Sequence, residues 1–262
     1  MIRSALMNVM TAAALKAGRG LKRDFGEVEN LQVSVKGPGD FVSAADRRAE
    51  KILHDELAKA RPGYGFVLEE SGRIEGTDKS HTWFIDPLDG TTNFLHGLPI
   101  FAVSIGLARE GQIVAGLVHN PATGDMFIAE KGQGAYFNNR RLRVAARREM
   151  SDCLIGCGIP HLGKLKEHPR FRTELAAVMA KAGNLRRLGA AALDLCFVAS
   201  GSYDGFWERN LQAWDMAAGI IIIKEAGGFV TDADGDGEML AKGSICAGND
   251  VIHRELLNLI RV

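Results

Sequence analysis

The run Trp83-Phe84-Ile85-Asp86-Pro87-Leu88-Asp89-Gly90-Thr91-Thr92-Asn93-Phe94 holds the densest concentration of reactive side chains in the chain. An apolar strand delivers Asp86 at its end, and Pro87, which has no N–H to donate, is expected to stop the ladder and force a turn. Asp86 and Asp89 then point across that turn at one place. Adjacent carboxylates repel each other unless a cation lies between them, and clustered carboxylate oxygens suit a hard ion such as Mg²⁺. Gly90-Thr91-Thr92 presents successive backbone N–H groups where a helix begins, an arrangement that binds anions. A cation site beside an anion site points to phosphate. A plain type I turn at Asp89-Gly90, with Asp86 as a cap, accounts for either half of the string but not for both.

Other elements must hold this string in place. Residues 2–25 set Ile2, Leu6, Val9, Met10, Ala13 and Ala14 on one helical stripe. A loop at Lys36-Gly37-Pro38-Gly39 follows. Ser43 is read as the N-cap of a second helix to about residue 60, with Ala49, Ile52, Leu53 and Leu57 inward. Residues 65–68 and 83–85 read as short strands ending in carboxylates. From 101 to 144 the pattern is hairpins, turning at Glu110-Gly111, 121–125 and Asn138-Asn139. Periodicity lapses over 145–151, which predicts an N-terminal α+β lobe (1–146) with an antiparallel-rich sheet and a C-terminal α/β lobe (147–262). In the second lobe strands are expected near 154–159, 185–188, 205–207, 229–230 and 244–246. Helices are expected near 171–182, 190–199 and 213–226 and at the end of the chain.

The 262 residues carry 32 Lys+Arg against 32 Asp+Glu, so no bulk charge draws the chain to nucleic acid or to an anionic membrane. With 46% hydrophobic and 24% charged residues it can bury a large core, which excludes disorder, collagen-like repeats and a disulfide scaffold. No secretory segment is read in residues 1–20, and the apolar run 216–223 is too short to span a bilayer. Cys153, Cys157, Cys196 and Cys246 are therefore expected as reduced thiols of a cytoplasmic protein. Asp232-Ala233-Asp234-Gly235-Asp236-Gly237 imitates a calcium loop, but Gly243 stands where the closing glutamate belongs and the flanks read as strands, so a solvated turn is expected. His81, His96 and His119 show no ligand spacing.

The Trp83–Phe94 string resembles the hallmark of the inositol monophosphatase family, the lithium-sensitive, metal-dependent sugar and polyol phosphatases. A second signature of that family is matched by Trp214-Asp215-Met216-Ala217-Ala218-Gly219, the isoleucine run and Ala226-Gly227-Gly228. The resemblance covers essentially the whole chain and falls in the bacterial SuhB-type branch. It implies a layered αβαβα sandwich shared with fructose-1,6-bisphosphatase, usually as a homodimer.

The same resemblance implies the site. Glu69, Asp86, the Leu88 carbonyl, Asp89 and Asp215 correspond to metal ligands for two or three Mg²⁺ ions. Asp46 and Thr91 correspond to the pair that polarises the attacking water, with Glu69 counted in the catalytic set. Glu208 corresponds to the acceptor of substrate hydroxyls, Gly189, Ala190 and Ala191 line the substrate ring, Arg187 contributes to the rim, and Gly90 contacts the phosphate. Lys36 lies in a loop that in relatives approaches the site. The chain departs from the common pattern at Leu68, often glycine, and at Ala190, often serine or threonine. The implied reaction is direct in-line attack of water on an inositol monophosphate. Fructose-1,6-bisphosphate, histidinol phosphate, 3′-phosphoadenosine 5′-phosphate and NADP are alternative substrates for the same chemistry. The SuhB-type likeness also implies transcription antitermination factors or RNA as partners, for which Arg140, Arg141, Arg143, Arg147 and Arg148 form the basic stretch.

Overall fold

The computed structural model describes residues 4–27, 33–37 and 40–261, so Ile2, Pro38 and Gly39 lie outside the described residues. Helix α1 (Ala5–Phe25) starts where the Ser4 hydroxyl accepts the Met7 N–H at 3.0 Å. A hairpin of β1 (Val33–Gly37) and β2 (Asp40–Ser43) stands where a loop was expected around Lys36. Val33-Ser34-Val35-Lys36 alternates apolar and polar, the strand period that the neighbouring glycines obscure. Ser43 then leads straight into α2 (Ala44–Ala60).

The next segments are β3 (Tyr64–Leu68), β4 (Gly72–Ile74), β5 (Asp78–Asp89), the short helix α3 (Thr91–Leu95), β6 (Ala102–Arg109), β7 (Gln112–Asn120), β8 (Asp125–Glu130), β9 (Gly134–Phe137) and β10 (Arg140–Arg141). They form an eight-stranded sheet in the order β10-β9-β8-β7-β6-β5-β3-β4, antiparallel except for the β3–β5 pair. Then follow β11 (Leu154–Cys157), α4 (His168–Met179), β12 (Asn184–Arg186), α5 (Ala191–Ala199), β13 (Gly205–Arg209), α6 (Ala213–Glu225), β14 (Phe229–Thr231), α7 (Met239–Lys242), β15 (Ser244–Gly248) and α8 (Asp250–Ile260). Their sheet runs β12-β11-β13-β15-β14, with β12, β11 and β13 parallel and the last two pairings antiparallel.

Three apolar clusters glue these parts into five layers. One lies between α1/α2 and the larger sheet, one packs α5 and α6 between the two sheets, and one joins the smaller sheet to α4 and α8. The αβαβα sandwich is thus observed. Its central layer explains the isoleucine run: Met216 to Ile223 are all buried, because a helix with a sheet on each side needs no polar face. Among the described residues no helix is long and apolar enough to cross a membrane.

Two expectations are corrected. Pro87 does not end its strand: β5 continues to Asp89, and Pro87 and Leu88 together face Val103 in a bulge between the Asp86–Ser104 and Asp89–Ala102 pairs. A bulge tolerates the missing N–H and re-aims side chains, so the turn chemistry survives inside a continuous strand. The calcium-like loop is flanked on its far side by helix α7, not by a strand. The loop is a turn exposed at Asp234, Asp236 and Gly237, as expected, but Asp232 at its base is buried, and the Lys242 ammonium lies 3.3 Å from Asp232 and 2.7 Å from Asp236, supplying the positive charge itself.

The close approach of α6 to the larger sheet needs two residues without side chains. A Cβ at Gly106 would fall 2.6 Å from the Ala217 Cβ, and one at Gly116 2.6 Å from the Ala218 carbonyl oxygen. Gly106→Val is expected to lift α6 and lower stability by about 1–3 kcal/mol, the usual cost of overpacking. A urea midpoint falling at unchanged m-value is the expected measurement, and an unshifted midpoint would refute the packing argument.

Candidate active site

Loop ends and helix starts from both sheets meet at one open cleft of about 170 Å³. From the larger sheet come Glu69, Asp86, Leu88, Asp89, Gly90 and Thr91; from the segments around the smaller one come Gly158, Arg187, Gly189, Ala191, Asp194, Glu208, Leu211 and Asp215. Each side chain is held by an identifiable local device.

Glu69 follows the end of β3, where its N–H bonds the Ile85 carbonyl at 3.3 Å. The turn after it is pinned by Glu50 of α2, a buried carboxylate that accepts the Glu70 N–H at 2.7 Å and the Ser71 hydroxyl. Asp46, wholly buried in the first turn of α2, brings a carboxylate oxygen within 4.8 Å of oxygens of Glu69 and Glu70. In the β5 bulge Asp86 accepts the Leu88 N–H at 2.9 Å. Gly90 then caps α3 at φ 85, a left-handed conformation that favours glycine, and a Cβ there would meet the Ile100 carbonyl at 2.8 Å. Thr91 turns its hydroxyl back to the Leu88 carbonyl at 2.9 Å.

The two halves are tied across the cleft. Asn93 donates to the Ile100 and Leu188 carbonyls, each at 2.8 Å, which fixes the segment carrying Gly189. Asp89 accepts the Ala192 N–H at 2.8 Å and so caps α5, whose own N-cap Ala190 has no side-chain oxygen to offer. Asp215 sits in the first turn of α6 and accepts the Gln212 N–H at 2.7 Å, while the adjacent Trp214 carbonyl accepts the Ser104 hydroxyl at 3.3 Å.

The resulting electrostatics are severe. Burial, reinforced by Glu69, Asp89, Asp215 and Asp46, pushes the Asp86 carboxyl well above its ordinary range. Burial raises Asp89 to about 7 although the Ala192 amide pulls it down. Burial and then Asp89 raise Asp215, and burial with Asp194 raises Glu208. So many acids in one place are stable only if protons or cations share the site. The possible ligand atoms lining the cleft are oxygens of carboxylates, of the Thr91 hydroxyl and of the backbone, with no histidine or cysteine, which fits a hard, oxygen-seeking cation and not a soft one. The acidic cluster can therefore hold a metal ion.

The expected metal ligands line this cleft, and so do the expected substrate contacts except Ala190, which is buried in the apolar core between the sheets; Asp46 joins through Glu69. Lys36 ends β1. The histidines are elsewhere: His81 bonds Asp78 and stacks on Tyr64, His119 bonds the Asp125 carbonyl, and His96 closes α3. Arg140 and Arg141 lie on the sheet edge opposite β3 and β4, away from the cleft. Sequence reasoning gave no role to Glu70, Asp194 or Leu211. Asp194 had a readable signal, a lone acid in the apolar helix Ala191–Ala199. Its carboxyl is pushed up to about 8 by burial and then by Asp89.

Residues 3–261 match the family model described as the inositol monophosphatase family. The chain is 61% identical over 261 residues to an inositol-1-monophosphatase of Mesorhizobium japonicum, covering 100% of this chain and 98% of the relative. It is 42% identical over 254 residues to a putative Nus factor SuhB of Neisseria meningitidis, with 97% of each chain covered. A crystal structure of the extragenic suppressor protein suhB from Bartonella henselae superposes with TM-score 0.95 at 57% identity, over 98% of this chain and 99% of that one.

The raised carboxyls carry a pH signature. In the window between the ordinary aspartate value of about 4 and the folded value, the folded state binds more protons than the unfolded one, so stability falls as pH rises. For Asp89 that loss runs up to about 7. Burial lowers His119 and His253, which act in the opposite sense at acid pH, so the difference between cation-loaded and cation-free midpoints isolates the acid cluster. Thermal melts should show stabilisation by a hard divalent cation growing from about pH 5 to about pH 8 as protons leave the cluster. A difference independent of pH would refute the assignment.

Proposed function

The chain belongs to the inositol monophosphatase family, a family of phosphatases, and from that we propose a Mg²⁺-dependent phosphomonoesterase that releases inositol and phosphate from an inositol monophosphate. The observation that carries this reading is the convergence of Glu69, Asp86, Asp89 and Asp215, from distant parts of the chain, on one cleft beside Thr91 and Glu208. When bound by those carboxylates and the Leu88 carbonyl, two or three Mg²⁺ ions would neutralise phosphoryl oxygens, acidify water and stabilise the leaving alkoxide.

The residues of the chain do the rest. Gly90 and Thr91 offer backbone N–H groups at the start of α3 to the phosphoryl oxygens. Thr91 is too weak an acid and base to act alone, so it orients: its oxygen accepts from the attacking water while its own proton, held on the Leu88 carbonyl, can turn to Asp46. Glu69 and Asp46 take up the proton's charge at the back of the site. Among the lining residues none carries a thiol or imidazole, and the carboxylates that could attack phosphorus are those assigned here to the cations and the substrate hydroxyls. Direct attack by water therefore fits this reading better than a phosphoenzyme. On the leaving-group side Glu208 accepts ring hydroxyls, Gly189 and Ala191 pack against the ring, and Arg187 closes the rim. Glu208 beside Asp194 favours a neutral polyol and disfavours a second phosphate at that spot.

In this reading the site lies between two lobes, 1–146 and 147–262, of a cytoplasmic homodimer. A second role as a transcription antitermination partner is favoured by the relative named a putative Nus factor SuhB and by the exposed Arg140 and Arg141 on the edge strand β10.

Asp89→Asn and Asp215→Asn are each expected to cut phosphate release by at least about 100-fold with the fold retained by circular dichroism, a loss on the scale of removing a pre-organised charge-stabilising group. Full activity in EDTA would end the metal mechanism. In a substrate panel ranked by kcat/KM, a bisphosphate ahead of inositol 1-phosphate by about tenfold or more, about 1.4 kcal/mol, would replace the substrate assignment. For the second role, charge reversal of Arg140, Arg141 and Arg143 should abolish capture of RNA or Nus-type factors at unchanged phosphatase rate. Undiminished capture would refute that surface.

A further inference from the structure

Glu174 lies on α4, outside the cleft, at 1% exposure. Its carboxylate gathers three donors: the Trp207 Nε1–H at 3.2 Å, the Arg209 Nε–H at 2.7 Å and the Arg170 Nε–H at 3.1 Å. Trp207 and Arg209 are the two chain neighbours of Glu208. Successive side chains of a strand face opposite ways, so the flanking pair turns to α4 while Glu208 turns to the cleft.

The location matters because β13 is losing its sheet there. On one side its ladder with β11 ends at the Cys157–Trp207 pair, followed by one bond from the Gly158 N–H to the Trp207 carbonyl at 3.2 Å. Glu208 and Arg209 pair only with Ile245 and Ser244 of β15. A strand end held along one edge can pivot, and a buried carboxylate accepting from both flanking side chains removes that pivot with charge-assisted bonds. Arg209 adds bonds to the Ala233 and Ile260 carbonyls at 3.4 and 3.2 Å.

We propose that Glu174 is a positioning residue for substrate recognition: by clamping Trp207 and Arg209 it sets the angle at which Glu208 enters the cleft to meet the hydroxyls of the leaving group. The inference rests on the reading of Glu208 as the acceptor of those hydroxyls. Glutamine at 174 would keep the shape but turn an N–H₂ toward one of the donors, breaking one tie and weakening the other.

The test compares kcat/KM for inositol 1-phosphate with kcat/KM for 4-nitrophenyl phosphate, whose leaving group has no ring hydroxyls. Glu174→Gln is expected to lower that ratio about fivefold, mainly through KM for the inositol ester, with the nitrophenyl rate within about twofold of the parent, because sub-ångström misplacement costs rate steeply. Arg170→Ala removes the donor that is not on β13 and should leave the ratio unchanged. Glu174→Asp, which keeps the charge, should recover part of the loss. An unchanged ratio in Glu174→Gln, or an equal fall with both substrates, overturns the proposal. If Glu174→Gln does not fold, Trp207→Phe removes one tie and should lower the ratio about twofold, about the loss of one weak hydrogen bond; no change overturns the proposal. Glu208→Ala reports separately: a lowered ratio there with none in Glu174→Gln defeats the inference alone, and an unchanged ratio in Glu208→Ala defeats the reading of Glu208 and the inference together.

Discussion

Mutual repulsion among buried carboxylates is the constraint around which this molecule is arranged. Asp86, Asp89, Asp215 and Glu208 are each pushed upward first by burial and then by a neighbouring acid, Glu69 for Asp86 and Asp89, Asp89 for Asp215 and Asp194 for Glu208. Leaving charges of one sign together in a poorly solvated cleft is costly, and the cost is met by fixed dipoles and by whatever cation the site takes. The dipoles are visible: Leu88 N–H on Asp86, Ala192 N–H on Asp89, Gln212 N–H on Asp215. Each bond is also a structural joint, so the carboxylates that crowd the cleft are the ones that fasten its parts.

Those joints need a rigid frame, and α6 supplies its middle. Lying between two sheets, it has little freedom to shift, and fully burying each isoleucine of its apolar run stabilises the fold by about 1.5–3 kcal/mol relative to exposure. It carries Asp215 in its first turn, and Gly106 and Gly116 let it approach the larger sheet closely. The β5 bulge does the same for Asp86 and Asp89 by aiming two acids of one strand into the cleft. A metal site on this scaffold would thus draw on strand irregularity and helix termini, where backbone donors are free to face inward.

Much of this was legible in the chain itself. The amphipathic stripe of α1, the hairpins of β6 to β9 and the strand–helix alternation after residue 153 follow from apolar spacing and turn residues, and the structure has them. Less legible were features that depend on partners distant in sequence. The β1–β2 hairpin was hidden by glycines, and Pro87 read as a stop because a bulge can be recognised only against its opposite strand. The burial of Asp232 beneath the Asp-rich loop was hidden because Lys242, which neutralises it, reaches back from α7. Glu174 is an ordinary acid in sequence, and two of its three donors come from β13.

The order of residues alone determined the chemistry on offer: hard oxygen donors, glycine at a helix start, a threonine hydroxyl and an acid at the head of an apolar helix are matters of composition and short-range spacing. Tertiary structure decided which of those groups share a site, because convergence of β3, β5, α5, β13 and α6 depends on how sheets and helices stack. It also decided that Asp89, from a distant strand, caps α5, whose own N-cap Ala190 has no side-chain oxygen. Local patterns encode what a residue can donate or accept; the packing of distant segments fixes the direction and distance at which it does so.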